Sequence, residues 1–520
     1  VPISQQGSVN TTSLIVPDLY VQIVPPQNLV LNGVPTNILG VVGTASWGPV
    51  DEPTIIGTMA DYAQQFGSIV PRTYDMGTQV AIAVQQGAQN FRCVRVTDGT
   101  DAAAYTVVPG SNASFTAMYT GSLGNNITLT LRAGTKPNTW MLSVLLPGFV
   151  PEVFDGLVGN GAAFWTGLAA AVNAGLGPQR GPSLLVVASG GGTTASPAPF
   201  SITLGSTSAG ADGASQVGTT QLLGSDAPTR SGMYALRGQG CGLAVLADCA
   251  DSSSWTIQAG FGLQEGIYMI LATPAGDTIT NAVSTKAAAG LDNYAAKLMF
   301  GDWLWWSDQV NNTIRLVSPQ GFAAGRLANL SPEQSSLNKQ IYGIIGSQRT
   351  GTPGSGQNTA YSTAELGALL GAGIDLICNP QPAGSFWGVR GGHNTSSNPA
   401  TDGDNYTRLT NYIAETLAAG MGQYVGRVIN SNLFQQIRST QLSFLNNMYG
   451  QGLLGSTDGS LPFSVICDTT NNPSSRTSLG YVQSDAQIQY QAINERFIVN
   501  VEGGQTVQVS RQTLPSGQVN

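Results

Sequence analysis

From Tyr406 to Asn447 apolar residues return at helical spacing: Leu409, Ile413, Leu417, Met421 and Val425, then Leu433, Ile437, Phe444 and Leu445. The spacing predicts two long helices, broken at Asn430-Ser431-Asn432, where a side chain can cap the second. Ahead of them a turn at Gly373 feeds a short apolar strand to Cys378, Ser385 to Arg390 predicts a second strand with one aromatic pair, and Gly391 to Asn405 is a polar loop. Leu461 to Asp468 alternates and predicts a closing strand. The order is strand, strand, helix, helix, strand.

Elsewhere the pattern is that of an α/β protein. Ile38 to Gly43 is an apolar strand, a second lies around Ile55, and helices over Met59 to Phe66 and Gly77 to Gln89 lead to a strand over Phe91 to Val96. That strand is apolar on both faces if Arg92 and Arg95 sit at its ends, as in a sheet covered on both sides. Between Asp98 and about Arg230 the composition turns to Ser, Thr, Gly and Ala with short alternating runs such as "ITLTLRA" and "FSITLG". A β-rich domain inserted at an exposed loop is expected there. "GLAVLADCA", "EGIYMILATP", "AKLMFGDWLWW" and "NTIRLVSPQ", with a helix over Ile279 to Tyr294, then predict a mostly parallel sheet.

The two ends follow a different rule. Leu19, Val21 and Ile23 alternate with their neighbours, yet Pro17 and Pro25-Pro26 isolate them from any hairpin. Phe497, Val499, Val501, Val507 and Val509 alternate in the same way beyond a finished module. Both ends read as strands in need of a sheet from elsewhere. The expected division is an arm over 1–27, the core over 28–100 and 233–352, the insertion over 101–232, a C-terminal module over 353–494 and a second arm over 495–520.

Composition narrows the function. Charged residues make up 10% of the chain, glycines number 66 and the formal net charge is −8. A surface so poor in charge is expected to be largely covered by something. The four lysines, Lys136, Lys286, Lys297 and Lys339, are scattered, which argues against nucleic-acid binding. No apolar run is long enough for a membrane span, and no secretory signal precedes Val1, so cytoplasmic synthesis is expected. Five cysteines, none in a CxxC pair, read as small buried hydrophobes.

Catalytic motifs are missing. The sequence has no GxSxG elbow, HExxH pair, EF-hand loop or P-loop, and the sole histidine, His393, lies in a polar loop. Gly450 to Gly455 matches GxGxxG but follows a helix where a dinucleotide site needs a preceding strand, so it reads as a turn. Asp226, Asp248, Asp251 and Asp302 are carboxylates that could meet at strand ends. No catalytic residue, cofactor or metal is expected.

The order "GIDLICNP … FWGVR … Y-RL-NYI … NLFQQI … FLNNMYGQGLLG … FSVICD" resembles the sheath proteins of contractile bacteriophage tails and related injection machines. The amino-terminal "PDLYVQI … GVPTNILGVVGTASWGPVDEP" resembles the same family, with Asp18-Leu19 in place of its usual Gly-Val. Gly391-Gly392 also departs from the family's Thr and apolar residue, so the strand at Arg390 is expected to end early.

The resemblance implies a tail-sheath-like α/β core with an inserted outer β domain and a C-terminal α+β inner module. Its N- and C-terminal arms would add strands to neighbouring subunits by β-augmentation. It further implies hexameric rings stacked into a helical sheath in the virion tail, around a tail tube and between baseplate and terminator proteins. Contraction would drive the tube through the host envelope without nucleotide hydrolysis. Arg408, Arg427 and Arg438 are then the candidate tube contacts, and Pro25-Pro26, Asn32-Gly33 and Gly503-Gly504 the hinges. The competing readings are another self-assembling structural protein, such as a surface lattice, and an α/β enzyme with an inserted domain.

Overall fold

The computed structural model describes residues 31, 33–178, 180–192, 194–357 and 359–501, together with the backbone of Ile3–Ser4 and Val21–Gln22. At its centre is a six-stranded sheet, in the order Ala296–Met299, Tyr268–Ala272, Leu243–Leu246, Leu39–Gly43, Phe91–Arg95, Thr54–Ile56. Every neighbouring pair is parallel except the last. The apolar runs demanded this, because a strand with no polar face is stable only when helices cover both sides of its sheet. One side packs against Met76–Gln85 and Gln320–Asn329, with Val80, Ile82, Phe322 and Leu327 fully buried. The other packs against Trp255–Glu265 and Ile279–Ala289, with Trp255 and Ala282 fully buried.

One expectation needs correction here. "WLWW" and "TIRLV" do not extend the parallel sheet: Leu304–Asp308 and Thr313–Val317 pair antiparallel in a separate three-stranded sheet with Ile344–Ser347. The connection between them is a few residues, too short for a parallel crossover. Arg95 is at a strand end as expected but is fully buried, its guanidinium donating to the carbonyls of Gly48, Thr120 and Asp212 at 2.7, 2.7 and 3.0 Å. It thereby ties the core to the insertion.

The insertion holds a four-stranded and a three-stranded antiparallel sheet and also a helix, Gly161–Ala174, that the small-residue composition concealed. Its core contains Trp47, Phe115, Leu129, Phe154, Phe164 and Trp165. It closes near Gly213 rather than at 232, because Val217, Leu222, Met233 and Leu236 pack in the core of the parallel sheet.

The boundary at 353 also moves. Leu369, Ile374, Leu376 and Cys378 are buried with the parallel sheet, and Asp375 bridges Met299. A separate core begins only with helix α1, Asp404–Met421, and helix α2, Ser431–Gly450. Asn430 caps α2, its side chain accepting from the Leu433 amide at 2.8 Å. Strands β1, Phe463–Ile466, and β2, Asp485–Ile488, pair antiparallel across this unit. The strand before the Gly391-Gly392 pair is short, Gly388–Val389, because the amides of Gly391 and Gly392 turn to the Asp375 carboxylate.

Candidate functional site

Helix α1 joins the core, the C-terminal module and both described chain ends. Its first residue, Asp404, is fully buried beneath the parallel sheet's edge strand, where Lys297 occupies a position buried on all sides. An ammonium there has to be paired. Lys297 Nζ lies 2.7 Å from Asp375 Oδ2 and 3.0 Å from Asp404 Oδ1, and donates to the His393 carbonyl at 3.0 Å. Tyr268 Oη donates to Asp404 at 2.7 Å, and Ser336 donates through amide and hydroxyl. Burial alone would raise the Asp404 carboxyl, but the Lys297 ammonium and these hydroxyls hold it below the ordinary range. The same pairing holds Lys297 above its ordinary value against burial.

One turn further, Arg408 is also buried, and burial lowers it to about 10. Its guanidinium donates to the carbonyls of Ser331 and Leu330 at 2.9 and 2.7 Å, just past the end of Gln320–Asn329. Helical spacing put an arginine on α1 without showing which face the core would take. Arg408 is therefore a core anchor and drops out as a tube contact.

The chain enters the core along the outer half of α1. Leu31, 4% exposed, fills the hollow over Gly420, where a Cβ would fall 2.1 Å from its side chain. Gly33 lies so close to Tyr412 that a Cβ would sit 1.8 Å from Oη, and the Val34 amide donates to Thr416 Oγ1 at 3.2 Å. Gly33 is thus a close-contact glycine rather than a hinge. Gly420→Ala is expected to cost about 1–3 kcal/mol by overpacking. The Val34 amide should then lose its hydrogen-exchange protection while the amides of α2 keep theirs.

The C-terminal segment leaves along the inner half of the same helix. Tyr490 packs edge-on against Tyr406 with ring centroids 5.8 Å apart and lies 3.2 Å from the Thr410 hydroxyl, and Asn405 Nδ2 donates to the Gln491 carbonyl at 3.0 Å. His393 Nε2 meets Glu495 Oε1 at 2.8 Å. Immediately beyond, Phe497, Val499 and Val501 are 82%, 63% and 86% exposed and carry no regular structure, with Ile498 equally bare.

At the other terminus, Val21–Gln22 pairs in parallel with Ile3–Ser4, a partner that alternation alone did not reveal. Leu19, Ile23, Val507 and Val509 lie outside the described residues, as do the Pro25-Pro26 and Gly503-Gly504 hinges.

The remaining two arginines are exposed. Arg427 is exposed in the α1–α2 connection, stacked 5.1 Å from the Tyr424 ring and flanked by the bare Val425 and Val428. Arg438 is exposed on α2, its Nε donating to the Val465 carbonyl at 3.1 Å. β1 and β2 have no further strand at either edge among the described residues.

The four aspartates do not converge. Asp226 pairs with Arg230 and Arg237, Asp251 caps a short turn, and Asp302 accepts from Tyr361 Oη and the Arg349 amide. Asp248 accepts from Gln79 and the Tyr74 amide, and burial with the nearby Asp75 charge pushes it up to about 7. No group of three metal-ligating side chains occurs among the described residues. All five thiols are buried and unpaired. No helix among the described residues is long and apolar enough to cross a membrane. Sequence reasoning missed Lys297, Asp375 and Leu31; the one signal was a lysine inside the apolar run "AAKLMF".

This arrangement of core, insertion and C-terminal module has the fold seen in contractile tail sheath proteins of known structure. It is similar to the sheath tail protein of Desulfitobacterium hafniense, with 16% identity and a TM-score of 0.56 over 86% of this chain and 93% of that one. For the sheath tail protein of Listeria innocua the identity is 16% and the TM-score 0.58, over 85% and 90%. The contracted sheath of the extracellular contractile injection system PVC aligns at 11% identity and TM-score 0.53, over 94% and 97%. No family model and no curated protein sequence matches the chain.

Proposed function

We propose that the chain is the structural subunit of a contractile tail sheath and performs no catalysis. The observation that carries this reading is the exit of both chain ends from one helix. Each end is anchored on α1, the N-terminal one through Leu31, Gly33 and Val34, and the C-terminal one continues past Glu495 as a bare alternating apolar segment. A two-stranded sheet with unpaired edges stands beside them. An open edge is a template for another chain, and two strands alone are marginal in water. The natural acceptor for a neighbour's arm is therefore the β1–β2 pair, giving main-chain hydrogen bonds between identical subunits.

Subunits joined in this way form rings, proposed as hexameric, and stack into a helix in the virion tail between baseplate and terminator. They repack during contraction while the arms keep them connected, and each subunit moves as a rigid body with bending confined to the arms outside Leu31 and Glu495. The decisive experiment is electron microscopy of the purified protein without nucleotide, which should show hollow tubes. A requirement for ATP turnover would sink the reading.

The inner module faces the tube in this proposal. From Thr416 to Thr457 the chain has no carboxylate, while Arg427 and Arg438 are exposed, in a protein whose net charge is −8. A surface cleared of negative charge suits an acidic partner. Reversing both as Arg427→Glu and Arg438→Glu is expected to weaken binding to the tube by about tenfold at low salt, with self-assembly retained. Unchanged sheath formation around tubes would remove these two residues as contacts.

A further inference from the structure

An apolar tip stands bare on the inserted domain. Glu152 lies opposite Val144 in the antiparallel pair Trp140–Leu145 and Glu152–Leu157, so Leu145 and the 146–151 turn stand together at one end of this hairpin, with Val153 on its edge strand. Val150 is 86% exposed, and Leu145 and Val153 are 43% and 40% exposed. Leu184, 72% exposed, joins them from the segment leading into Val186–Ser189, its amide donating to Glu152 Oε1 at 2.9 Å. The tip is firmly built: the buried Glu152 carboxylate also accepts from Ser183 Oγ and pairs at 2.9 Å with Arg180, whose guanidinium lies 5.4 Å from the Phe154 ring. One carboxylate thus fixes the hairpin end to the segment that carries Leu184.

Charge is missing around it. From Pro137 to Pro151 and again from Gly181 to Ala211 the chain has no charged residue, whereas a surface facing water is about a quarter or more charged. Single exposed apolar side chains are ordinary, but these four, with Pro147 and Pro151 also exposed, present several hundred Å², as much as the largest apolar patch on a typical monomer. That is still below the ~800 Å² per partner that a stable free-standing interface buries. The tip is too small to recruit a partner by itself and suits one that other contacts already hold nearby, where the effective concentration is high. Its free edge is unsuited to strand addition, because the register shifts between Phe154 and Leu157 and Gly156 stands at φ 77°.

We propose that this tip packs, side chain against side chain, on a neighbouring copy of the chain once the arms have brought the copies together. The contact rests on the sheath reading above and extends it: the insertion is a subunit contact rather than an outer decoration.

The test uses the burial of all five native thiols, which leaves an introduced surface cysteine to react alone. Leu184→Cys and Val150→Cys subunits, each mixed as a minor fraction into wild-type tubes, are expected to react with a maleimide at least about tenfold more slowly than as free subunits, since the core of an interface is packed like a protein interior. Val158→Cys, 66% exposed in the wild type and just past the opposite end of the edge strand, is the control and keeps its free rate. The double variant Val150→Ser, Leu184→Ser should keep the thermal midpoint of the free subunit and raise the concentration needed for tubes by about tenfold or more, the effect of losing two buried apolar side chains. Tubes in which both positions react at the free rate, equal slowing at Val158→Cys, or an unchanged assembly concentration for the double variant would each overturn the contact and leave the sheath standing. A wild-type chain that forms no tubes would remove the sheath reading and this contact with it.

Discussion

Lys297→Met is expected to destabilise the core by about 3–5 kcal/mol, the usual consequence of stripping a buried ion pair of one partner. Methionine fits the space of the lysine stem, so the loss is electrostatic. Asp375 and Asp404 would remain fully buried, each still accepting amide or hydroxyl bonds but with no counter-ion in contact. Adding Asp404→Asn should recover part of the loss by removing one stranded charge, an ordering that a packing defect would not produce.

The pH dependence follows from the two shifts. Asp404 is held low, so its contribution is present above about pH 4 and is lost as pH falls through its folded value. Lys297 is held high, so its contribution persists until pH rises beyond about 10.5. Acid should therefore loosen α1 from the core only as pH falls below about 4, and base only above about 10.5. The check is the urea midpoint across pH, read by hydrogen exchange of the first turn of α1. A midpoint for Lys297→Met equal to that of the wild type would show that the network contributes nothing.

Deleting Val1 to Pro26 is expected to give a soluble, folded subunit that no longer polymerises. Leu31 is the first residue of the chain within a described core cluster, so the cut leaves every such cluster intact. What is lost is the segment carrying Leu19, Val21 and Ile23. Burying three such side chains against a neighbour contributes roughly 1.5–3 kcal/mol apiece. Even the loss of about 3 kcal/mol per contact lowers association by more than about a hundredfold. Sedimentation and electron microscopy read the outcome, with thermal unfolding as the control for folding. Normal-length tubes from the truncated chain would contradict strand exchange at this end.

What the sequence determined by itself are the features with local period. The two long helices, the Asn430 cap, the parallel sheet's apolar strands and the early stop at Gly391-Gly392 all leave a pattern within a few residues of where they act. The tertiary structure alone decided which face of a helix meets what. Arg408 and Arg427 lie on the same stretch of chain and look alike in sequence. One anchors α1 to the end of another helix and the other stands in solvent, because α1 is half-sunk in the core and half-projecting. Lys297, Asp375 and Asp404 are far apart in the chain and meet only because the edge strand, a turn and a helix start converge. Gly33 looked like a hinge because glycine frees the backbone. The fold uses it instead for what glycine lacks, since a side chain there would collide with Tyr412. Pairings between distant segments leave no periodic trace, and a residue's role in them is set by the partner that packing brings to it.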